Sequence, residues 1–172
     1  MNRSGVTGRR GLAGARDLPS LGRRGEGWAA LQVALIGASI AAGLRGPDWP
    51  SETRGRRRVG AGLAFLAGAP LLVRGGRELG RQLTPFPKPA AEGNLKEDGV
   101  YRLVRHPMYG GGLLVMAGWA LVSSPLALAP LALAAPFLDL KRRREEAWLL
   151  LQHPGYREYR ARVPHRFIPF VW

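Results

Sequence analysis

The residues with most chemistry to offer lie in two clusters. In the first, within residues 99–112, Tyr101, Arg105, His106, Pro107 and Tyr109 precede Gly110, Gly111 and Gly112. In the second, Glu145 and Glu146 stand side by side, followed by Tyr156, Tyr159 and Arg166 in a tail bounded by prolines. An imidazole or a carboxylate in reach of a reacting group can accept its proton, and cations and carboxylates together can hold a ligand carrying both signs of charge. Pro107 can open a helix but loses a hydrogen bond inside one, so the apolar run from Tyr109 is expected to start here, with His106 near the N-cap. The unpaired N–H groups of that first turn, with Arg105 and His106 beside them, suit an anion. The chain has no cysteine, which excludes disulfides, thiolate metal ligands and cysteine nucleophiles, and no metal is expected at either cluster.

The elements that position these clusters follow from composition. At 172 residues the chain is one domain by length, 46% hydrophobic, with 26 Lys and Arg against 12 Asp and Glu and a net charge of +14. Apolar residues come in blocks and the arginines fall between them, the pattern of an all-α, polytopic helical membrane protein. Nucleic acid is not an expected partner, because no basic face or aromatic-interleaved basic module accompanies the charge. Residues 1–26, rich in Gly and Arg without periodicity, read as a flexible basic arm, and 27–172 as the membrane domain.

Four spans are expected, at 27–44, 59–73, 109–122 and 126–140. The first is near spanning length and reads as a retained anchor rather than a cleaved signal peptide. The second is short, is expected either to extend through Gly75 and Gly76 or to sit in a locally thinned bilayer, and contains Pro70, which should kink it. Pro130 and Pro136 interrupt the fourth. Only Ser123, Ser124 and Pro125 separate segments three and four, so these form a tight helical hairpin. Pro85, Pro87 and Pro89 alternate through residues 83–89 and favour a stiff, extended strap leading to the first cluster. With four spans, 21 of the 26 Lys and Arg fall on the side of both termini, which is then cytoplasmic.

The hairpin carries both clusters to that same side and forms a cavity with cations and helix N–H groups on one wall and carboxylates on the other. A ligand with a carboxylate, an ammonium, ribose hydroxyls and a flat base matches this inventory, and S-adenosylmethionine has all four. Each element also has a plainer reading. Arg105 could neutralise lipid phosphate. Lys141 to Glu145 and Arg142 to Glu146 have the i,i+4 spacing of ordinary surface ion pairs. His106 could be only a cap, and the three glycines could serve close helix packing in lipid.

The residues Gly99, Val100, Tyr101 and Arg102, then the run from Arg105 through Gly111, then Glu145 and Glu146 with Tyr156, Tyr159 and a proline-rich end, resemble the isoprenylcysteine carboxyl methyltransferase and phospholipid methyltransferase group of membrane enzymes. The resemblance covers roughly residues 79–170, including the strap, and is similar to bacterial members. It implies S-adenosylmethionine held at the cytoplasmic end of the last hairpin, in the inner (plasma) membrane of a bacterium. Arg105, His106, Pro107 and Tyr109 would lie on the methionine and adenosine moieties, and Glu145 and Glu146 on the cofactor's polar groups. Tyr156, Tyr159 and Arg166 would help to close the pocket, with Tyr101 and Gly110 in the same motif. Val100 stands where Pro is common, and His153 where an aromatic often stands.

The leading expectation is S-adenosylmethionine-dependent methyl transfer to a lipophilic small molecule or lipid, with the bilayer as the other partner. Two alternatives are an NADPH-dependent membrane reductase of the related steroid-reductase type and a non-enzymatic membrane protein that binds anionic lipid through its basic connectors.

Overall fold

The computed structural model describes residues 18–89 and 93–172, so residues 1–17 of the expected arm lie outside the described residues. Among the described residues the chain is all-helical. Its helices are α1 Glu26–Arg45, α2 Arg54–Leu79, α3 Pro107–Val122, α4 Leu128–Gln152 and α5 Tyr156–Arg162, with short 3-10 turns between them. Two stretches, Glu26–Arg45 and Ser51–Gln82, are long and apolar enough to cross a membrane, and α3 is a shorter apolar helix. Their large side chains point outward: Leu31, Val33, Ile36 and Ile40 on α1, and Val59, Leu63, Leu66 and Val73 on α2, are exposed. Such a girdle is costly in water and at home in hydrocarbon.

Contacts between side chains set the helix directions. The Arg57 guanidinium, at the start of α2, donates to the Leu121 carbonyl at the end of α3 over 2.7 Å, and Trp49 donates to the Ala120 carbonyl over 2.9 Å. At the other end of the pair, Gly75 abuts Pro107 and Met108. Gly43 and Gly46 let the end of α1 lie against Trp119 and Ser124, while Gln32 near its start meets Lys141 on α4. The start of α1, the end of α2, the start of α3 and the outer part of α4 therefore share one end of the bundle. The strap and the C-terminal tail lie at that end too. Residues 18–26, expected to be free, are tied down there: Trp28 donates to the Pro19 carbonyl over 3.0 Å, and Arg24 lies over the Phe86 ring of the strap.

Segment boundaries differ from expectation in three places. Arg54, Arg56, Arg57 and Arg58, expected in a loop, form the first turns of α2, because Thr53 and Pro50 anchor Arg57 and Trp49 stacks on it. The second segment is thus not short, and Pro70 sits inside it. The fourth segment is not interrupted: α4 runs unbroken with Pro136 inside it and Pro130 in its first turn, where a missing N–H costs nothing. The expected turn is present, with Ser124 accepting from the Leu126 N–H and donating to the Pro47 carbonyl.

The hairpin is not where the closest packing lies. α3 packs most closely on α2, where a Cβ on Gly111 would stand 2.6 Å from both the Gly68 carbonyl oxygen and the Leu72 nitrogen. Small residues at such a crossing supply the contact that lipid cannot. Gly112, one residue on, faces open space. Gly111→Ala should therefore destabilise the bundle by about 1–3 kcal/mol, the usual cost of overpacking against backbone that cannot yield. Gly112→Ala should leave thermal unfolding in detergent unchanged or slightly raised.

Candidate functional site

The start of α3 is built as its sequence dictates, with Pro107 at the first helical position and His106 at the N-cap. The His106 side chain makes no cap; its carbonyl accepts from the N–H groups of Tyr109 and Gly110 at 3.1 and 3.2 Å. The preceding N–H groups go to the tail, Arg105 to the His165 carbonyl at 3.1 Å and His106 to the Arg166 carbonyl at 2.8 Å. The helix start expected to receive an anion is thus largely spent on the protein's own carbonyls. Gly110 explains the tail's approach: Phe167, fully buried, lays its backbone where a Cβ on Gly110 would be. Its ring stands edge-on to His106 and Tyr109.

Glu146, 3% exposed, lies at the centre of the cluster. One oxygen accepts from Arg105 Nε at 3.0 Å and lies 3.1 Å from His106 Nε2. The other pairs with Arg142 at 3.1 Å, with Arg160 at 3.8 Å. The Arg142–Glu146 spacing therefore does make an ion pair, but a buried one. Burial pushes the Glu146 carboxyl up. The hydrogen bond from His106 and the charges of His106, Arg105 and Arg142 outweigh that and hold it well below its ordinary range. Arg105 is committed further, with Nη1 donating to the Val163 and Pro164 carbonyls. Glu145 is more open. It accepts from the Tyr109 hydroxyl at 2.7 Å and stands 3.8 Å from His106 Nδ1. The two clusters anticipated from sequence are thus in direct contact.

A cavity of about 550 Å³ opens beside this contact. Tyr101, Arg105, His106, Pro107, Tyr109, Glu145, Tyr156 and Tyr159 line it, while Gly110, Glu146 and Arg166 do not. Arg166 turns instead toward Asp139 at 3.4 Å. Burial raises the phenols of Tyr101, Tyr156 and Tyr159 above their ordinary range. Tyr101 donates to the Gly75 carbonyl and Tyr159 to the Tyr101 carbonyl, whereas the buried Tyr156 hydroxyl has no partner among the described residues. Toward the bundle interior the lining becomes apolar, with Leu35, Leu72, Val115, Met116 and Phe137.

Sequence reasoning missed two features. Lys141 and Gln32 line the cavity and bond each other. The signal was present, since Gln32 is the one amide in the first apolar segment. The second concerns Val100, which stands where a proline is common. Its N–H donates to Glu78 at 3.0 Å, a bond proline cannot make, and Gly99, at φ 58°, brings the backbone onto that carboxylate.

The family model for phospholipid methyltransferases matches residues 57–152, more than half of the chain, from the first turn of α2 to the end of α4. Among curated proteins, the chain is similar to the Delta(14)-sterol reductase TM7SF2 of Mus musculus, at 34% identity over 89 residues. The match covers 49% of this chain and 21% of that protein, so the chain spans about a fifth of its relative's length. No solved structure matches.

Glu146→Gln should leave Arg105 and Arg142 buried without a full counter-charge, a loss of about 3–5 kcal/mol. The carboxyl's pKa lies below its ordinary 4.5, so its contribution is present in full above that pH and is lost as pH falls through the folded-state value. Unfolding of both proteins in detergent from neutral pH downward should show a gap that narrows only below about pH 4.5.

Proposed function

The chain belongs to the phospholipid methyltransferase family, and from that premise we propose that it is an S-adenosylmethionine-dependent methyltransferase acting on a lipophilic small molecule or lipid. The distribution of Lys and Arg favours a site on the cytoplasmic face, with both ends of the chain on that side, and the resemblance to bacterial proteins favours the inner membrane. A single cavity supports the activity: its polar end suits a charged nucleoside and its apolar end a hydrocarbon chain, within one volume of small-molecule size.

The residues present fit the cofactor. The Tyr156 hydroxyl is buried at the cavity without a partner among the described residues, and a ligand hydroxyl or ring nitrogen would satisfy it. Glu145 keeps a partly exposed carboxylate beside the cavity for a cationic centre. The rings of Tyr109 and Tyr156 offer flat surfaces at the same end. When bound, S-adenosylmethionine supplies an electrophilic methyl group on a positively charged sulfur.

What remains for the chain is to align the acceptor and exclude water. A carboxylate acceptor needs no base. A protonated amine would give its proton to His106 or Glu145, whichever comes within hydrogen-bond reach. Glu146 fixes the His106 ring through Nε2, so Nδ1 is the nitrogen left to face Glu145. Likeness to the sterol reductase favours a second reading, an NADPH-dependent reductase on the same scaffold.

Calorimetry in detergent should detect S-adenosylmethionine binding and no comparable binding of NADPH; the reverse would install the reductase. Tyr156→Phe should weaken the cofactor about fivefold to tenfold, near 1 kcal/mol for one neutral hydrogen bond. Its thermal midpoint should not fall, because that hydroxyl bonds nothing within the described protein.

A further inference from the structure

Lys141 is the most deeply buried cation among the described residues. It is 1% exposed, yet no carboxylate lies within ion-pair distance of its ammonium among the described residues. Its Nζ donates to two neutral oxygens, the Gln32 side-chain carbonyl and the Pro85 backbone carbonyl, and lies over the Tyr109 ring at 5.4 Å. The plainer reading, an i,i+4 ion pair with Glu145, is not made; that carboxylate accepts from the Tyr109 hydroxyl instead. Buried charges are normally paired, and this one has two neutral acceptors and a ring face but no carboxylate in direct contact, with Glu145 acting on it only at longer range.

The surroundings say what could supply the missing charge. Lys141 and Gln32 both line the cavity. Lys141 lies one helical turn, about 6 Å, closer to the bundle interior than Glu145. Leu35, Phe137 and Leu138 flank it on that side, and Thr84 and Pro85 of the strap lie on the other. It thus stands where the polar end of the cavity gives way to the apolar end, where the head of an amphiphile with its tail among α1, α3 and α4 would come to rest.

We propose that Lys141, oriented by Gln32, is an oxyanion site of the cavity that holds a carboxylate or phosphate oxygen of a bound molecule. Two sources share this chemistry: the acidic head of an amphiphilic methyl acceptor, and the carboxylate of the methyl donor. Naming either source rests on the methyltransferase reading, whereas the oxyanion site does not.

The test measures binding in detergent with two matched pairs of probes: octyl phosphate against octanol, and S-adenosylmethionine against its decarboxylated form. Wild type should favour the acidic member of at least one pair by tenfold or more. Lys141→Gln should abolish that preference, and Lys141→Arg should keep it. Gln32→Glu provides a variant that retains the lysine: its new carboxylate should pair with Lys141 and remove the preference while the protein stays folded. Loss in the octyl pair assigns the site to an acceptor, and loss in the donor pair assigns it to the donor. Equal binding within both pairs in wild type, or a preference that survives both Lys141→Gln and Gln32→Glu, overturns the site. The octyl pair involves no cofactor, so absence of donor binding would count against the proposed function and leave the oxyanion site standing.

Discussion

The Glu146 carboxylate ties together parts of the chain that lie far apart in sequence. Its two oxygens reach Arg105 and His106 from the turn before α3, Arg142 on its own helix, and Arg160 on α5. Arg105, His106 and Arg142 are nearly closed to water, so the two guanidiniums depend on carboxylates there, whereas Arg160 stands half exposed at the edge of the cluster. Glu146 in turn remains ionised only because they surround it. Their mutual dependence fixes the cavity's polar end: with Arg105 and His106 clamped, Tyr109 lies within reach of Glu145, and the tail finds the two N–H groups it pairs with.

Much of this was legible in the sequence, for physical reasons that differ from residue to residue. Pro107 announced the start of α3 because proline is tolerated there and almost nowhere else in a helix. The three-residue turn after Val122 left no freedom beyond a hairpin, so the two clusters had to share an end. What could not be read was how each donor is spent. At the helix start expected to receive an anion, the N–H groups of Tyr109 and Gly110 go to the His106 carbonyl, those of Arg105 and His106 just before it go to carbonyls of residues 165 and 166, and Gly110 faces the tail backbone. A local pattern reports which groups are unsatisfied within a helix; it carries no information on a segment arriving from the far end of the chain. The unbroken α4 has the same origin, since proline frequency alone does not distinguish a first turn from an interior.

Glu145 and Glu146 illustrate the limit most directly. Neighbouring positions on a helix point in directions about 100° apart, so two adjacent carboxylates cannot face one cavity alike. Glu145 lines it, while Glu146 turns behind the wall and organises the cations. Sequence reasoning treated the pair as one acidic wall, whereas the helix divides it into a carboxylate available to a ligand and one available to the fold.

The cavity exists because the closest packing of α3 was assigned elsewhere. In lipid, helices gain little from burying apolar side chains against each other and associate through small residues that admit close backbone contact. α3 carries such a residue on the side facing α2, where Gly111 meets Gly68, and α2 answers with Gly75 against the Pro107 turn. On its other side α3 presents Gly112, Val115 and Met116 to a space bounded by Leu35 and Phe137, with Gln32 and Lys141 at its upper edge. A hairpin packed along its full length would have closed that space. At the outer end the two helices are tied by charge instead, the Glu146 carboxylate of α4 pairing with Arg105 just before α3 behind the cavity wall. Tight glycine packing on one side of α3 and a fixed ion-pair cluster on the other together leave a pocket of ligand size with a graded wall, polar at the end of the clusters and apolar within the bundle.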